Sequence, residues 1–350
     1  MEHSRDAFHG NEISINAEEA LEYLTDLADD EPDNPEVFYQ LAKVHYQAGN
    51  HSKSLSNIRK AIALEQDYAE YHFMQGMIYQ KLNKPEAAVQ AMLLAESLGN
   101  SGQELYQVIA EEYMRLGESK KAREAIERLT GKNAETFTLK GNIFLALGDT
   151  TQALTNFTDA TAENKQYVPA YNALTDIYIA RGEDGKAASM IAELISLEPT
   201  NISHYEKKGN LYQRNGELDS AMFIFKRIAA QRGSYMDYYK ISNIFYLQNS
   251  YDSARIYAAR AFEGNSEFLE AQLLVARSLD KRRRYNEALE VYESIVQADS
   301  TFNLAVAELE NLKRKVAYLW RLEQQRKSRD SAINSAPPPV QKKDLQDNRK

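Results

Sequence analysis

The 350-residue chain predicts an all-α fold of stacked helical hairpins, and three observations carry that prediction. Along LKGNIFLALGDTTQALTNFTDA (139–160), Gly141, Ala153 and Ala160 are small, Phe144 and Phe157 are aromatic, and Gly148-Asp149 sits between them. The same order recurs in eight segments starting at 35, 69, 103, 134, 168, 202, 235 and 269, a period of 34 with one spacing of 31 and one of 33. Glycine marks the middle of most segments, at Gly49, Gly117, Gly148, Gly182 and Gly216. A lone helical hairpin cannot bury its own apolar face, so recurrence is what such a pattern requires.

Each repeat reads as two short helices. With Gly141 as position 8 of a repeat starting at 134, position 8 is Ala42, Gly76, Ala110, Gly141, Thr175, Gly209, Ser242 and Ala276, all small. Position 11 is a ring in seven repeats, from His45 and Tyr79 to Phe245, and Leu279 in the eighth. Position 20 is Ser54 in the first repeat and alanine in the other seven. Apolar residues return at three- and four-residue steps, the period of an amphipathic helix. A small residue at position 20 lets the second helix approach the first closely; leucine there would overpack by about 1–3 kcal/mol.

The elements follow in order. Residues 1–34 hold eleven acids and one base and carry half a repeat. Within them 18–32 match a second helix alone, through Ala20, Leu24, Leu27 and Pro32, and 1–16 have no apolar stripe. Eight full repeats then occupy 35–68, 69–102, 103–133, 134–167, 168–201, 202–234, 235–268 and 269–302. Residues 303–330 begin like a ninth first helix, with Val306, Leu309, Leu312, Val316 and Leu319 at helical spacing, and run on past Trp320. This long helix supplies the polar outer face that terminal repeats need. The tail 331–350 is basic, proline-bearing and aperiodic, and is predicted to be disordered.

The pattern resembles the tetratricopeptide repeat family, a 34-residue helix–turn–helix with small residues at positions 8 and 20. The usual tryptophan at position 4 is replaced by Phe38, His72, Tyr106, Phe137, Tyr171, Tyr205, Tyr238 and Gln272, and the proline at position 32 survives only as Pro199. The resemblance implies a right-handed superhelical solenoid in which positions 2, 5, 6, 9, 12 and 13 of each first helix line a concave groove that binds ligands. Position 9 is Lys43, Met77, Glu111, Asn142, Asp176, Asn210, Asn243 and Arg277, with Asn172 one turn before Asp176. A side-chain amide donates and accepts at once, which suits the backbone of an extended peptide. The candidate groove is therefore Asn142, Asn172, Asp176, Lys207, Asn210, Tyr239, Lys240, Asn243 and Tyr246. Relatives that clamp a chaperone's terminal carboxylates use lysine, asparagine and arginine at positions here held by Glu206, Lys240, Glu270 and Leu274, so that clamp is absent.

Composition removes several classes. A net charge of −9, and of −6 over 35–310, disfavours binding to RNA or other nucleic acid. With no cysteine there are no disulfides, thiolate metal sites or thiol catalysis. No run of 18 apolar residues can span a membrane, and MEHSRDAFHG does not read as a signal peptide. A lipid anchor would need a cysteine upstream of this sequence. No catalytic set appears, and no cofactor is implied. Gly182-Glu-Asp-Gly-Lys-Ala187 lacks the spacing of a phosphate loop and reads as an inter-helix turn. His45 and His72 read as core histidines, since a metal site would need two further ligands.

Two further places are candidate partner contacts: the basic turn Lys281, Arg282, Arg283 and Arg284, and Trp320 on the last helix. Residues 311–350 hold eleven bases and four acids. These and the acidic start are expected to face partners or a surface, because eight stacked repeats would separate them beyond the roughly 8 Å screening length. The sequence thus reads as a non-catalytic scaffold binding a protein or extended peptide. The alternatives are an accessory or small-ligand-binding subunit of an enzyme or transport complex. Tyrosine-rich repeats, the basic final turn and the proline-bearing tail also resemble tetratricopeptide lipoproteins of bacterial envelopes, which would place the chain on the periplasmic side of an outer membrane.

Overall fold

Small residues at fixed positions let helices pair, and the computed structural model shows how. It describes residues 17–334, and every regular element among them is an α-helix. The chain divides into two compact units, Met1–Leu197 and Glu198–Lys350. In the first unit, α1 (Ala17–Asp30) precedes five pairs: α2 (Pro35–Gln47) with α3 (His51–Leu64), α4 (Ala69–Lys81) with α5 (Pro85–Ser97), and α6 (Gln103–Arg115) with α7 (Ser119–Ile126). The fourth and fifth are α8 (Ala134–Ala146) with α9 (Thr150–Glu163) and α10 (Val168–Ala180) with α11 (Asp184–Leu197). The second unit holds α12 (Ile202–Arg214) with α13 (Leu218–Gln231), α14 (Tyr235–Leu247) with α15 (Tyr251–Gly264), α16 (Leu269–Lys281) with α17 (Tyr285–Ala298), and α18 (Asn303–Asn334). Within each unit the first helices of neighbouring pairs also touch, α6 with α8 and α8 with α10, and α14 with α16, which makes them the inner layer.

The packing inside a pair is a match of sizes. A Cβ added at Gly141 would lie 2.7 Å from Phe157 Cε1, one at Gly209 2.8 Å from Phe225 Cζ, and one at Gly76 2.8 Å from Met92 Cε. At Ala42 and Ala110 the residue sixteen further on is the smaller Ile58 or Ile126, whereas Ala276 shares its core with the larger Tyr292. Position 20 is fully buried in all eight pairs, and Ser54, the one polar residue there, donates from Oγ to the Ala42 carbonyl at 2.7 Å. The turns share one conformation. Gly49, Gly117, Gly148, Gly182 and Gly216 have φ between +70° and +81°, and Asn83, Asn249 and Arg283 take the same left-handed place at +54°, +59° and +59°. Asparagine tolerates that region and arginine does so at a steric cost.

The pair that starts at 103 is short because α7 has eight residues where the other second helices have 13 or 14. The missing turn is stitched by Gln103, whose Oε1 accepts from the N–H groups of Thr130 (2.7 Å) and Gly131 (3.2 Å). Lys140 Nζ donates to the Leu129 carbonyl at 2.8 Å.

The last helix docks through its first half only. Ala305, Leu309 and Leu312 are buried against α16 and α17. Two polar pins hold the seat: Arg277 grips Glu308 through Nε (2.9 Å) and Nη2 (2.5 Å), and Lys315 reaches Asp280 at 2.6 Å. From Ala317 to Ser331 every residue is exposed. Nothing in Ser331-Ala-Ile-Asn334 breaks a helix, so α18 runs beyond Asp330 to Asn334. The rest of the tail predicted to be disordered, 335–350, and the start of the acidic segment, 1–16, lie outside the described residues.

Candidate peptide-binding surfaces

Solvent reaches the inner layer through residues three and four apart on the first helices, the positions that share one helix face. In the first unit these residues form an open cleft of about 570 Å³ between α6 and α8, lined by Glu111, Met114, Arg115, Leu139, Asn142, Leu145 and Ala146. Its floor is apolar and its rim polar. Leu145 is 41% exposed, so its side chain is open to a partner. The rim carboxylate Glu111 is held in place by amide N–H groups of Gln80 and Gln107, each at 2.9 Å. Asn142 is exposed on this rim. One helix further on, Asn172 and Asp176 lie a turn apart on α10, but Asn172 Nδ2 turns back to the Val168 carbonyl at 3.3 Å.

Beside this cleft lies a misfit. Position 10 is a core position, held by Val44, Ile78, Ile143, Ile177, Leu211 and Ile244 in six pairs and by Ser278 in one. In α6 it is Glu112, whose side chain is fully buried and whose two oxygens have no hydrogen-bond partner. Arg115 Nε is 3.6 Å away, an ion-pair contact beyond hydrogen-bond reach. A buried, unmade polar group costs about 1–3 kcal/mol.

In the second unit the inner face is more self-satisfied. Lys240 sits 3.5 Å from Glu206 and 5.2 Å over the Phe225 ring. Glu206 also accepts from Arg232 at 2.5 Å, and Arg232 in turn pairs with the buried Asp237. Burial alone would raise the Asp237 carboxyl, but Arg232 and the Ser234 N–H hold it below the ordinary range. Tyr239 meets Phe268 edge-on at 4.8 Å and Tyr246 meets Tyr251 at 5.3 Å. Asn243 Nδ2 is turned to the Tyr239 carbonyl at 3.3 Å, Asn210 is exposed, and Lys207 lies half-buried on the same face of α12.

The basic turn is partly spoken for. Arg282 pairs with Asp252 at 3.1 Å, and Arg284 with Glu287 at 2.5 Å, while Lys281 is exposed. Trp320 stands 61% exposed on the overhanging half of α18. His72 Nε2 lies 2.7 Å from the Gln66 carbonyl, a local bond of a buried histidine. Among the described residues no three or more histidine or carboxylate side chains are grouped to hold a metal, and no helix is long and apolar enough to cross a membrane. The segment 182–187 forms the α10–α11 turn and the first turn of α11, with Glu183 tied to Arg181 and Lys186, each at 2.7 Å.

The cleft residues Met114, Arg115, Leu145 and Ala146 occupy positions 12 and 13 of their repeats, and Leu139 position 6. These positions belong to the predicted groove, but the candidate residues chosen from it centre on the polar groups of position 9 and its neighbours and do not include them. The signal was present: a methionine and a leucine at groove-lining positions of the 31-residue repeat and of the repeat that follows it.

Helical hairpins packed this way, with polar clefts along the first helices, define an all-α repeat solenoid of the kind used as a protein-interaction scaffold. Two family models described as tetratricopeptide repeat match residues 16–78 with 144–210 and residues 69–98 with 103–131. The chain belongs to the tetratricopeptide repeat family. A model for anaphase-promoting complex, cyclosome, subunit 3 matches 214–295. Among curated proteins, the chain is 21% identical over 299 residues to tetratricopeptide repeat protein 21B of Mus musculus, covering 76% of this chain and 22% of that one. It is 24% identical over 292 residues to the BBSome complex member BBS4 homolog of Drosophila melanogaster, covering 79% and 59%. The chain therefore spans only part of the length of these relatives. Among solved structures, the C-terminal part of a TPR repeat-containing protein from Cytophaga hutchinsonii superposes with a TM-score of 0.61 at 18% identity, covering 68% of this chain and 99% of that one.

Proposed function

We propose that the chain is a non-catalytic scaffold that holds an extended segment of a partner protein against the inner faces of its first helices. The observation that carries this reading is the α6–α8 cleft, where an apolar floor at Met114, Leu139 and Leu145 lies under a polar rim at Glu111, Arg115 and Asn142. An apolar pocket for one side chain, with groups beside it that match a peptide backbone, is the usual form of such a site. The same inner face in the second unit, with Asn210, Lys207, Tyr239, Lys240, Asn243 and Tyr246, is a weaker candidate because most of these groups already have partners. Lys281, the turn arginines and Trp320 are accessory contacts in this reading. An accessory or small-ligand-binding role is the second reading. The charged cleft by α18 suits it less, because Arg277 and Glu308 neutralise each other there. The net charge weighs against nucleic acid as the partner. Placement in a bacterial envelope assembly rests on the sequence resemblance to envelope lipoproteins alone, and fractionation of the intact gene product tests it.

Binding is tested by identifying a partner by pull-down and mapping the bound segment to a synthetic peptide. A typical net hydrogen bond contributes about 0.5–1.5 kcal/mol, and losing a buried leucine contact about 1.5–3 kcal/mol. The double variant Asn142→Ala/Leu145→Ala is therefore expected to weaken binding at least tenfold with unchanged melting. Full affinity in that variant, with loss in Asn210→Ala/Asn243→Ala instead, would move the site to the second unit.

A further inference from the structure

The outer faces of the first and last helices carry charge of opposite sign in matching register. In α1, Leu24 is buried and Leu21 and Ala28 pack into the same core. On the opposite face lie Glu19, Glu22, Tyr23, Asp26, Asp29 and Asp30, all exposed, and the helix contains no basic residue. None of those five carboxylates has an ion pair among the described residues. In α18 the core stripe is Ala305, Leu309 and Leu312. On the opposite face lie Arg314, Tyr318, Arg321, Leu322, Gln325 and Arg329, all exposed and with no acid among them. Three acids lie nearby: Glu310 is exposed one turn before Arg314, and Glu323 and Asp330 are paired with Lys327 and Arg326, away from that stripe. Arg314, Arg321 and Arg329 have no ion pair among the described residues.

The spacing matches as well as the sign. Glu19, Tyr23 and Asp26 follow one another at four and three residues, and Arg314, Tyr318 and Arg321 do the same. Helices side by side at a shallow angle meet every seven residues, so two charge contacts would flank one tyrosine pair. Tyr23 and Tyr318 are 58% and 60% exposed, each a large apolar body in a stripe of like charge. Such stripes repel themselves and attract each other.

We infer that the acidic outer face of α1 in one copy docks on the basic outer face of α18 in a second copy, so that chains associate head to tail. A heterologous contact of this kind closes into a ring or extends into an open string. Two helices bury less than the roughly 1,000 Å² expected of a stable interface, so the contact is weak and reversible. Its charges are exposed, so salt screens it.

The test is sedimentation of the 350-residue chain over a wide range of protein concentration at low and high salt. The expected result is a mass that grows with concentration, with apparent affinity falling roughly tenfold or more as the screening length drops from about 10 Å to about 3 Å. Arg314→Glu/Arg321→Glu/Arg329→Glu should remain monomeric with unchanged melting. Mixing it with Glu19→Lys/Glu22→Lys/Asp26→Lys should restore association between the two variants. Crosslinking of isotope-labelled with unlabelled chains should join α1 to α18 across copies. The inference is overturned by a constant monomer mass, by association that survives the arginine reversal, or by α1–α18 crosslinks confined to single copies. It is equally overturned if the arginine variant loses binding to anionic phosphatidylserine vesicles while self-association is unchanged, which would assign the stripe to a membrane surface.

Discussion

Replacing Glu112 by leucine should make the protein more stable. The carboxylate occupies a core position that is aliphatic in six other repeats, is fully buried, and has no hydrogen-bond partner. Relieving an unmade buried polar group contributes about 1–3 kcal/mol. Full burial of a leucine contributes about 1.5–3 kcal/mol, of which the glutamate methylenes already supply roughly half. Against this stand the loss of the Arg115 contact, about 0–1 kcal/mol for a half-exposed partner, and some repacking strain of about 1 kcal/mol. The balance is a gain of about 2 kcal/mol, from these terms together. Because each repeat couples mainly to its neighbours, the gain should be local. Urea unfolding followed by hydrogen exchange should show slower opening of α6, α7 and α8 and no change in α16 to α18. A less stable variant would refute the reasoning, since it would mean that the carboxylate makes a bond inside the stack that leucine removes.

Gly141→Ala should destabilise the fourth pair, since the new Cβ would lie 2.7 Å from Phe157 and overpacking by about 1–3 kcal/mol outweighs a helix-propensity gain of about 1 kcal/mol. In a Phe157→Ile background the same change should become neutral or stabilising, and a denaturation double-mutant cycle without that sign change would count against the size match. Acid should loosen the seat of α18. Burial pushes the Glu308 carboxyl up, but Arg277 and Tyr292 outweigh it and hold it below the ordinary range. With the folded value depressed, its contribution is complete above about 4.3, the unfolded carboxylate value, and is lost as pH falls through the folded value. Hydrogen exchange over 303–316 should accelerate in that window in the parent and lose this pH dependence in Glu308→Gln.

The repeat architecture was legible because its signal is steric and local. Gly141 and Phe157 are sixteen residues apart and must meet if the chain makes a hairpin, so their sizes betray the contact. Glu112 was not singled out in the sequence, because a polar residue in an aliphatic column shows only when position 10 is compared across repeats. The asparagines mark the limit of what repeat spacing encodes. Position 9 places Asn142 and Asn243 on the same face, yet Asn243 bonds the Tyr239 carbonyl while Asn142 stands open on a cleft. That choice depends on neighbouring side chains, which spacing does not encode. The Arg277–Glu308 pin, 31 residues apart, needed the seat of α18 to be known.

The match between Gly141 and Phe157, Gly209 and Phe225, and Ala110 and Ile126 also decides where this chain can be cut and rejoined. Whole hairpins carry lock and key together, so exchanging complete pairs leaves every such contact intact. Exchanging half a hairpin does not. Joining α6 to α9 would bring Phe157 against the Cβ of Ala110, and joining α8 to α7 would leave Ile126 short of filling the space over Gly141. Recombination of this protein, in the laboratory or by duplication of its gene, therefore has conservative joints between pairs and costly ones within them. The unit that can be copied is the pair, and the helices are not separately portable.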